Sequence, residues 1–277
     1  MDCFADLTTG GKPQPDPERE IRHSVHRTPP RLRPAIGIGP DDNPEMSQQA
    51  RADRIRQMFD QIADGYDRRN RLFSLDRDAG WRRVAARLAE LHPGDTALDL
   101  CCGTGKLAHE LLPYTRPNGQ VVGIDFSPAM LEIARRLEPD IQFTLGDASS
   151  VPYPDASIAA VTIGFGLRNL VDRDRALREM FRVLRPGGRL VVLELPPPPR
   201  GPLQRPYRFY LTRVMPAIAG ALKRGEEKAY EYLSTSVEAF PSPTQLADQL
   251  RAIGFAPVLV KRLTFGIAAV HVAVRPD

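Results

Sequence analysis

The feature that most constrains the fold of this chain is a glycine loop between a short apolar run and an amphipathic segment. Residues 97–100 form an apolar run typical of a buried strand, and Gly103, Thr104 and Gly105 follow it closely. Glycines allow a tight turn and a close approach to a ligand, and the N-terminus of a following helix presents free N–H groups there. The sequence therefore predicts a strand, a ligand-binding turn and a helix in succession.

Short apolar runs alternate with helical stretches over the next hundred residues. Each run has the length of a buried strand, and the four lie at residues 121–124, 141–145, 160–163 and 190–193. Ser127 followed by Pro128 predicts the start of one helix. Another helix, ended by residues 186–188, is predicted from Leu177, Met180, Phe181 and Leu184. Such alternation is typical of a mostly parallel sheet with helices on both faces.

The C-terminal part of the chain has a different pattern. Ser242 and Gln245 form a capping-box signal for a helix that Gly254 ends. Two apolar runs at about residues 256–263 and 267–274 then share a short turn, which predicts an antiparallel hairpin. The hairpin is expected to close one edge of the sheet.

Residues 196–240, here called the cap segment, lie between the alternating strands and helices and the C-terminal part. It opens with four prolines and is predicted to be helical in part. Its cations and aromatic residues are Arg200, Arg205, Tyr207, Arg208, Phe209, Tyr210, Arg213, Lys223 and Arg224. This mixture is expected either to lie on an anionic membrane surface or to form a solvated cap over the site.

Residues 1–48 differ from the rest of the chain. They are rich in proline, aspartate and arginine and lack periodic apolar residues, so we expect a disordered extension. Residues 49–277 then have the size of a single domain. No apolar run reaches the roughly 20 residues that span a bilayer, and the N-terminus does not resemble a secretory signal.

Composition narrows the class of protein further. Apolar residues make up 42% of the chain and charged residues 26%, as in ordinary globular proteins. The net charge of +4 is too small to argue for nucleic acid. Cys101 and Cys102 are adjacent at an apolar strand end, which favours a reducing cytosol over a disulfide scaffold. We therefore expect a cytoplasmic protein with neither a nucleic-acid partner nor a metal site.

Three carboxylates follow successive predicted strands. Asp99 lies at the end of the first strand, Asp125 ends the second, and Asp147 follows the third. The carboxyl ends of parallel strands share one edge, where open α/β sheets bind ligands. There Asp99 suits an ammonium group and Asp125 a ribose, while Asp147 with a neighbouring backbone N–H suits the amino edge of adenine. These three groups, without a phosphate, predict S-adenosylmethionine.

Each of these signals also has a purely local explanation. Asp99 could be an ordinary loop-start residue, Asp125 could help to cap a helix, and Asp147 could be a turn residue. The loop with Ala108 also matches the G-x-G-x-x-A form of dinucleotide-binding proteins. S-adenosylmethionine is favoured over a dinucleotide because the three carboxylates recur at successive strand ends and Asp99 would repel a pyrophosphate.

Motifs between residues 58 and 274 resemble one family. Beside the glycine loop, these are Gly-Ile-Asp-Phe-Ser at 123–127, Gly-Asp-Ala at 146–148, Phe-Gly-Leu-Arg-Asn at 165–169 and Tyr-Glu-Tyr-Leu at 230–233. On these motifs the chain resembles the UbiE/MenG quinone C-methyltransferases, and the last two motifs are the most specific. The chain departs from the pattern at Lys106, Gly164, Ile158-Ala159 and Leu195–Pro198, the last near the expected substrate entrance.

The resemblance implies a fold, a cofactor and a reaction. The fold is the Rossmann-like class I methyltransferase fold, a seven-stranded, mostly parallel sheet with an antiparallel C-terminal strand. The reaction is methylation of a ring carbon of a polyprenylated quinol. The favoured acceptor is demethylmenaquinol, and the second is the methoxy-polyprenyl-benzoquinol of ubiquinone synthesis. The cofactor residues implied are Asp99, Gly103, Thr104, Gly105, Asp125, Phe126, Asp147 and Ala148.

Arg168 and Asn169 are the expected catalytic residues. A quinol hydroxyl resembles a phenol, and removal of its proton makes the adjacent ring carbon nucleophilic. Arg168 is expected to stabilise the phenolate and Asn169 to fix a water. The alternative for Arg168 is a salt bridge to Asp172 or Asp174.

Other residues are weaker candidates for the acceptor side. His271 is a second candidate base, although packing on the last strand explains it more simply. Tyr66, Tyr230 and Tyr232 are expected to line the acceptor ring, with core packing as the alternative for each.

Three other functions remain open on the sequence alone. The chain could methylate another small aromatic acceptor, or it could be a non-catalytic cofactor-binding protein of a quinone-synthesis assembly. An NAD-dependent oxidoreductase is disfavoured by Asp99 and by the C-terminal hairpin. The oligomeric state is also open, with a homodimer as one expectation.

Overall fold

The computed structural model describes residues 46–198, 201–202, 204–222 and 227–277, except for the side chains of 219–222, 227, 228 and 230. The extension predicted at 1–48 lies almost entirely outside the described residues. The first helix begins at Gln48, one residue before the predicted start of the domain, and the Ser47 hydroxyl caps it by accepting from the Ala50 N–H.

Three helices precede the sheet: α1 (Gln48–Ile62), α2 (Tyr66–Phe73) and α3 (Arg77–Leu88). Gly65, at φ 73°, separates α1 from α2. The sequence did not predict α2, because its eight residues are mostly polar and offer no clear apolar period.

A seven-stranded sheet forms the centre of the domain. Its strands are β1 (Thr96–Leu100), β2 (Gln120–Asp125), β3 (Gln142–Leu145), β4 (Ile158–Gly164), β5 (Leu184–Glu194), β6 (Val258–Leu263) and β7 (Ala268–Val274). Their order is β3-β2-β1-β4-β5-β7-β6, with β7 antiparallel to both of its neighbours and the other pairings parallel. The predicted sheet class and C-terminal hairpin are therefore confirmed.

Helices between the strands cover both faces of the sheet. They are α4 (Lys106–Thr115), α5 (Pro128–Leu137) and α6 (Arg173–Val183), with α10 (Pro243–Ile253) after the cap segment. The predicted caps are confirmed, since the Ser127 hydroxyl accepts from the Met130 N–H and Ser242 forms a capping box with Gln245. Two apolar clusters lie against the faces of the sheet, one around Leu98 and one around Ala97.

The predicted end of α6 was wrong by a short segment. Leu184 belongs to β5 and not to the helix, and residues 186–188 lie inside that strand. The reason is an additional pairing partner, because Gly187 donates to the Arg275 carbonyl and Arg275 donates to the Gly188 carbonyl. The glycines that predict a helix end therefore lie in a strand here, where they pair with the backbone of Arg275.

The described part of the cap segment is largely helical, which agrees with the prediction of partial helix. It contains α7 (Gln204–Phe209), a π-helical turn (Tyr210–Val214), α8 (Met215–Leu222) and α9 (Glu227–Ala239). Leu211, Met215 and Val237 are buried in a cluster with Ile62 of α1 and Met130 of α5. The cap segment therefore packs against the N-terminal helices, which places both beside the same end of the sheet. Within the described ranges, no helix is long and apolar enough to cross a membrane.

Candidate active site

The glycine loop adopts the tight turn that the sequence predicts. Gly103 and Gly105 have φ angles of 55° and 81°, which L side chains rarely adopt. A Cβ on Gly105 would lie 2.7 Å from the Phe143 ring, whereas a Cβ on Gly103 would meet nothing within 4 Å. Gly105 is thus required by its turn and by packing, while open space lies beside Gly103.

Asp125 ends β2 and its carboxylate braces the loop. One oxygen accepts from the Gly103 N–H at 2.8 Å, and the other accepts from the Ser127 N–H at 2.9 Å. Burial raises the pKa of Asp125 to about 6, although these backbone donors act to lower it. Each carboxylate oxygen can accept a second hydrogen bond, so Asp125 retains capacity for ligand hydroxyls.

Asp99 is more deeply buried than Asp125. It is 1% exposed, and one oxygen accepts from the Thr162 hydroxyl at 2.7 Å. The other oxygen, Oδ2, has no hydrogen-bond partner among the described residues. Burial raises the pKa of Asp99 to about 7. A buried carboxylate oxygen without a donor suits a ligand ammonium group, and this contact stays a prediction.

Asp147 follows β3 and differs from the other two carboxylates because it is exposed. Its Oδ1 accepts from the Ser149 N–H at 2.8 Å, which is the local turn bond considered as its alternative role. Ala148 beside it is buried. The turn bond leaves the other carboxylate oxygen for a ligand, so the local and ligand-binding roles are compatible.

A cavity of about 360 Å³ opens along this edge of the sheet. The predicted cofactor residues in its lining are Gly103, Asp125, Phe126, Asp147 and Ala148, and the predicted acceptor residues there are Tyr66 and Asn169. Asp99, Thr104, Gly105 and Arg168 are not among the described lining residues. One cavity therefore joins most of the predicted cofactor residues to part of the predicted acceptor site.

Thr104 has a structural partner that the sequence did not indicate. Its hydroxyl donates to Asp67 Oδ1 of α2 at 2.7 Å. In the same way, the Ser127 hydroxyl donates to Asp60 Oδ1 of α1 at 2.5 Å. Two hydrogen bonds thus fasten the N-terminal helices to the edge of the sheet that carries the cavity.

Arg168 lies behind the wall of the cavity, in a 3-10 turn after β4. Its side chain is 7% exposed, and its Nη1 donates to Glu194 Oε1 and to the Phe165 carbonyl, both at 2.6 Å. Burial acts most strongly on the pKa of Arg168 and lowers it, but the charge and hydrogen bond of Glu194, together with Tyr66 and Tyr232, raise it overall. Glu194, at the end of β5, was not among the predicted site residues.

The predicted alternative partners of Arg168 are wrong. Asp172 accepts from the Arg175 N–H as the cap of α6, and Asp174 pairs with Arg178. Glu194 pairs with Arg168 instead, because β4 and β5 are adjacent in the sheet. The same signal that identified Asp99 and Asp125, an acid at the end of an apolar run, could have identified Glu194.

The predicted tyrosines have different environments. Tyr66 lines the cavity, and the Tyr232 hydroxyl donates to Asn169 Oδ1 at 3.0 Å. The Tyr230 side chain lies outside the described residues. Tyr207, predicted only as part of the basic aromatic stretch, packs into the cluster that joins the cap segment to the N-terminal helices. Burial raises its pKa, and the charge of Arg168 acts in the opposite direction.

His271 and Lys106 are accounted for by other contacts. His271 is 2% exposed, its Nε2 is 2.9 Å from the Pro243 carbonyl, and it is not among the described lining residues. Packing on the last strand therefore explains His271 better than a role as base. Lys106, a departure from the family pattern, lies 3.7 Å from the Glu138 carboxylate.

Comparison with known sequences identifies relatives over most of the chain. Residues 47–275 match the ubiE/COQ5 methyltransferase family. A demethylmenaquinone methyltransferase of Thermus thermophilus is 48% identical over 79% of this chain and 100% of its own length. One of Deinococcus radiodurans is 46% identical over 83% of this chain and 95% of its own.

Solved structures share the fold at low sequence identity. A putative methyltransferase in complex with the Haloferax volcanii Trm112 activator superposes with a TM-score of 0.58 at 19% identity, covering 79% of this chain and 98% of its own. A SAM-dependent methyltransferase from Aquifex aeolicus gives a TM-score of 0.54 at 18% identity, covering 75% and 96%. These likenesses support the fold.

The chain is a class I methyltransferase that depends on S-adenosylmethionine, as its family and its fold show. The order of the strands, the glycine loop and the carboxylates at the strand ends all agree with this class. The open space beside Gly103 and the unpartnered Asp99 Oδ2 fit this cofactor. Within that class, the chain belongs to the ubiE/COQ5 methyltransferase family.

Proposed function

We propose that this protein transfers a methyl group to a ring carbon of demethylmenaquinol. The observation that carries the proposal is the single cavity in which Asp125 and Asp147 lie together with Tyr66 and Asn169. The names of the relatives, which align over nearly their whole length, support the same acceptor.

The cofactor half of the proposed site is formed by the ends of β1, β2 and β3. Asp99 is proposed to accept from the ammonium group, Asp125 from the ribose hydroxyls and Asp147 from the adenine amino group. Gly103 lets the chain approach closely, Thr104 and Gly105 shape the loop, and Phe126 and Ala148 contribute lining. S-adenosylmethionine supplies an electrophilic methyl group on a sulfonium when bound. The chain's task is therefore alignment and activation of the acceptor.

The acceptor half is proposed to consist of Tyr66 and Asn169, which line the cavity, and of Arg168 behind its wall. Tyr230 and Tyr232 of the cap segment are proposed to border the ring. A quinol hydroxyl that loses its proton to water becomes an anion, and the positive charge of Arg168 stabilises that anion through the wall of the turn. Asn169 lines the cavity and is proposed to hold the water or the oxygen by its amide. The ring carbon that gains the methyl group then loses its own proton to water, which restores the aromatic ring.

A two-acceptor assay tests the proposal. The purified protein is incubated with the cofactor and either demethylmenaquinol or the methoxy-polyprenyl-benzoquinol, both freshly reduced. We expect methylated product from demethylmenaquinol at a higher kcat/KM. Activity on neither quinol, with activity on another phenol, would identify a methyltransferase of a different aromatic acceptor.

We further propose that the cap segment contacts the cytoplasmic face of the membrane, where a polyprenyl acceptor resides. Phe209 is 62% exposed, and Arg205, Arg208 and Arg213 of the same segment are also exposed. Arg208 pairs with Glu238, which reduces its contribution. Exposed aromatic and cationic side chains on one segment favour binding to anionic headgroups.

Flotation with anionic vesicles at low salt tests this contact. We expect binding that weakens when Arg205 and Arg213 are both changed to Glu, while Arg178→Glu outside the cap segment leaves it unchanged. Equal flotation of all three proteins, or none by the wild type, contradicts surface docking. A homodimer stays a prediction, which sedimentation velocity would test.

A further inference from the structure

Glu194 is the only acidic residue that contacts Arg168 in the described part of the chain. Its Oε1 accepts from Arg168 Nη1 at 2.6 Å, and its Oε2 accepts from the Arg168 backbone N–H at 3.2 Å. One carboxylate therefore fixes both the side chain and the backbone of the same residue.

The same carboxylate also accepts from Leu195, the residue that immediately precedes the cap segment. Glu194 Oε1 accepts from the Leu195 N–H at 2.9 Å, and Leu195 packs against both the sheet and the cap cluster. Glu194 thus joins three parts: the end of β5, the 3-10 turn after β4, and the chain that enters the cap segment.

The turn that Glu194 holds carries residues of the cavity wall. Phe165, with an unfavourable φ of 59° for a residue with a Cβ, lines the cavity, and so does Asn169. The Phe165 carbonyl accepts from Arg168 Nη1 and from Asn169 Nδ2, at 2.6 and 3.3 Å. A shift of the Arg168 side chain would therefore move both residues that face the acceptor.

The energetics of the pair argue that it does more than stabilise the fold. Burying two opposite charges costs solvation that their attraction often only balances, and an apolar pair is commonly as stable. Here Glu194 is 1% exposed and Arg168 7%. A second guanidinium, Arg173, lies within electrostatic reach of the same carboxylate while it stacks on Phe240 at 4.9 Å. Glu194 thus pairs directly with Arg168, and its charge also acts on the half-buried Arg173.

We propose that Glu194 is a positioning residue for methyl transfer, which holds the Arg168–Asn169 turn in its productive geometry and ties it to the cap segment. This inference rests on the proposed methyl transfer to a quinol. Glu194 acts through Arg168 and does not touch the acceptor itself. Its loss should therefore lower kcat, with little change in cofactor affinity.

The test is a double-mutant cycle with Glu194→Gln and Arg168→Gln, assayed with demethylmenaquinol. We expect Glu194→Gln alone to lower kcat by at least about tenfold, because it leaves Arg168 buried without its counter-charge. In the Arg168→Gln background the same change should lower kcat less than about twofold, as expected for residues that act as a unit. Glu194→Asp, which keeps the charge, should recover part of the loss.

Asp95→Asn is the matched control. Asp95 is a buried carboxylate that also accepts from an arginine and a backbone N–H, Arg185 at 2.8 Å and His92 at 2.9 Å. It precedes β1 and so lies at the opposite edge of the sheet from the cavity. We expect Asp95→Asn to lower the unfolding temperature without lowering kcat.

Calorimetry with S-adenosylhomocysteine gives a readout other than turnover, and we expect all folded variants to bind it within about twofold of the wild type. Additive effects of the two substitutions, or a loss of affinity equal to the loss of kcat, would overturn the positioning role. If Glu194→Gln does not fold, Glu194→Asp replaces it in the cycle. Wild-type turnover of Glu194→Asp would then overturn the positioning role. A wild-type protein inactive on demethylmenaquinol would instead refute the proposed function.

Discussion

The two halves of the cavity are built in different ways. In the cofactor half, Asp125 and Asp147 accept from backbone N–H groups no more than 22 residues away. In the acceptor half, side chains meet across the fold: Tyr232 reaches Asn169 over 63 residues and Glu194 reaches Arg168 over 26. Asp99 and Thr104 are exceptions, since they bond to Thr162 and Asp67 across 63 and 37 residues. The first half therefore depends largely on backbone donors near the strand ends, and the second on contacts between side chains of separate elements.

This difference separates the expected effects of substitution. Changes in the cofactor half should alter affinity for the cofactor, because its carboxylates are expected to bind the ligand directly. Changes in the acceptor half should alter turnover, since its residues align and activate the acceptor. Substitutions that alter both parameters equally would break the comparison.

The largest effect is expected for Arg168→Ala. The change removes the cation behind the turn and leaves Glu194 buried without its counter-charge, so kcat should fall by about 10²- to 10³-fold. Binding of S-adenosylhomocysteine, measured by calorimetry, should stay within about twofold because Arg168 does not line the cofactor end of the cavity. Circular dichroism controls for folding. A loss confined to cofactor binding would contradict the assignment of Arg168 to the acceptor half.

Asp125→Ala should have the next largest effect, on affinity. The loss of a charged acceptor for the ribose and of the brace on Gly103 should weaken cofactor binding by about 2–3 kcal/mol, or about 30- to 150-fold. Calorimetry with S-adenosylhomocysteine measures it directly. Unchanged affinity would show that the ribose does not contact Asp125.

Cofactor affinity should also depend on pH through Asp99. Burial raises the pKa of Asp99 to about 7, and a ligand ammonium binds only the ionised carboxylate. Affinity should therefore rise about five- to sixfold from pH 6.0 to 7.5, because the ligand amino group, with an ordinary pKa of about 7.7–8.0, has already begun to lose its proton there, and then fall at higher pH. Asp99→Asn should bind weakly and show no such rise. A wild-type affinity that is flat over this range would contradict the ammonium contact.

The smallest effect is expected for Tyr232→Phe. It removes the hydroxyl that donates to Asn169, a bond worth about 1 kcal/mol, so kcat should fall about fivefold. Steady-state kinetics at saturating cofactor measure the change, and cofactor affinity serves as the internal control. A fall in cofactor affinity with unchanged kcat would place Tyr232 in the wrong half.

The sequence predicts most of the sheet because its strands and helices carry strong local signals. The apolar run before the glycine loop, the Ser127-Pro128 helix start and the Ser242 capping box all have the predicted structure. Leu184 was misassigned because an apolar residue at helical spacing can also begin a strand once another segment, here Ile158 of β4, offers pairing. The helix α2 lacks an apolar period and gave no signal.

The acceptor half could be predicted only in part, for a physical reason. Arg168 and Asn169 were singled out by a short motif, but the partner of Arg168 depends on which strand lies beside β4. Asp172 and Asp174 are nearer in sequence, yet both serve α6, and Glu194 at the end of β5 is nearer in space. Likewise the bonds from Thr104 to Asp67 and from Ser127 to Asp60 join elements whose contact no local pattern reveals.

The most direct test of the central claim follows an isotope into the product. The protein is incubated with S-adenosylmethionine labelled with ¹³C in its methyl group and with demethylmenaquinol, and the product is examined by NMR and mass spectrometry. In the proposed site, one activated carbon of the acceptor ring lies opposite the cofactor half. We therefore expect a single ¹³C label, on one ring carbon of the quinone product. Label on a quinol oxygen, or no transfer by protein that binds the cofactor, would contradict the account.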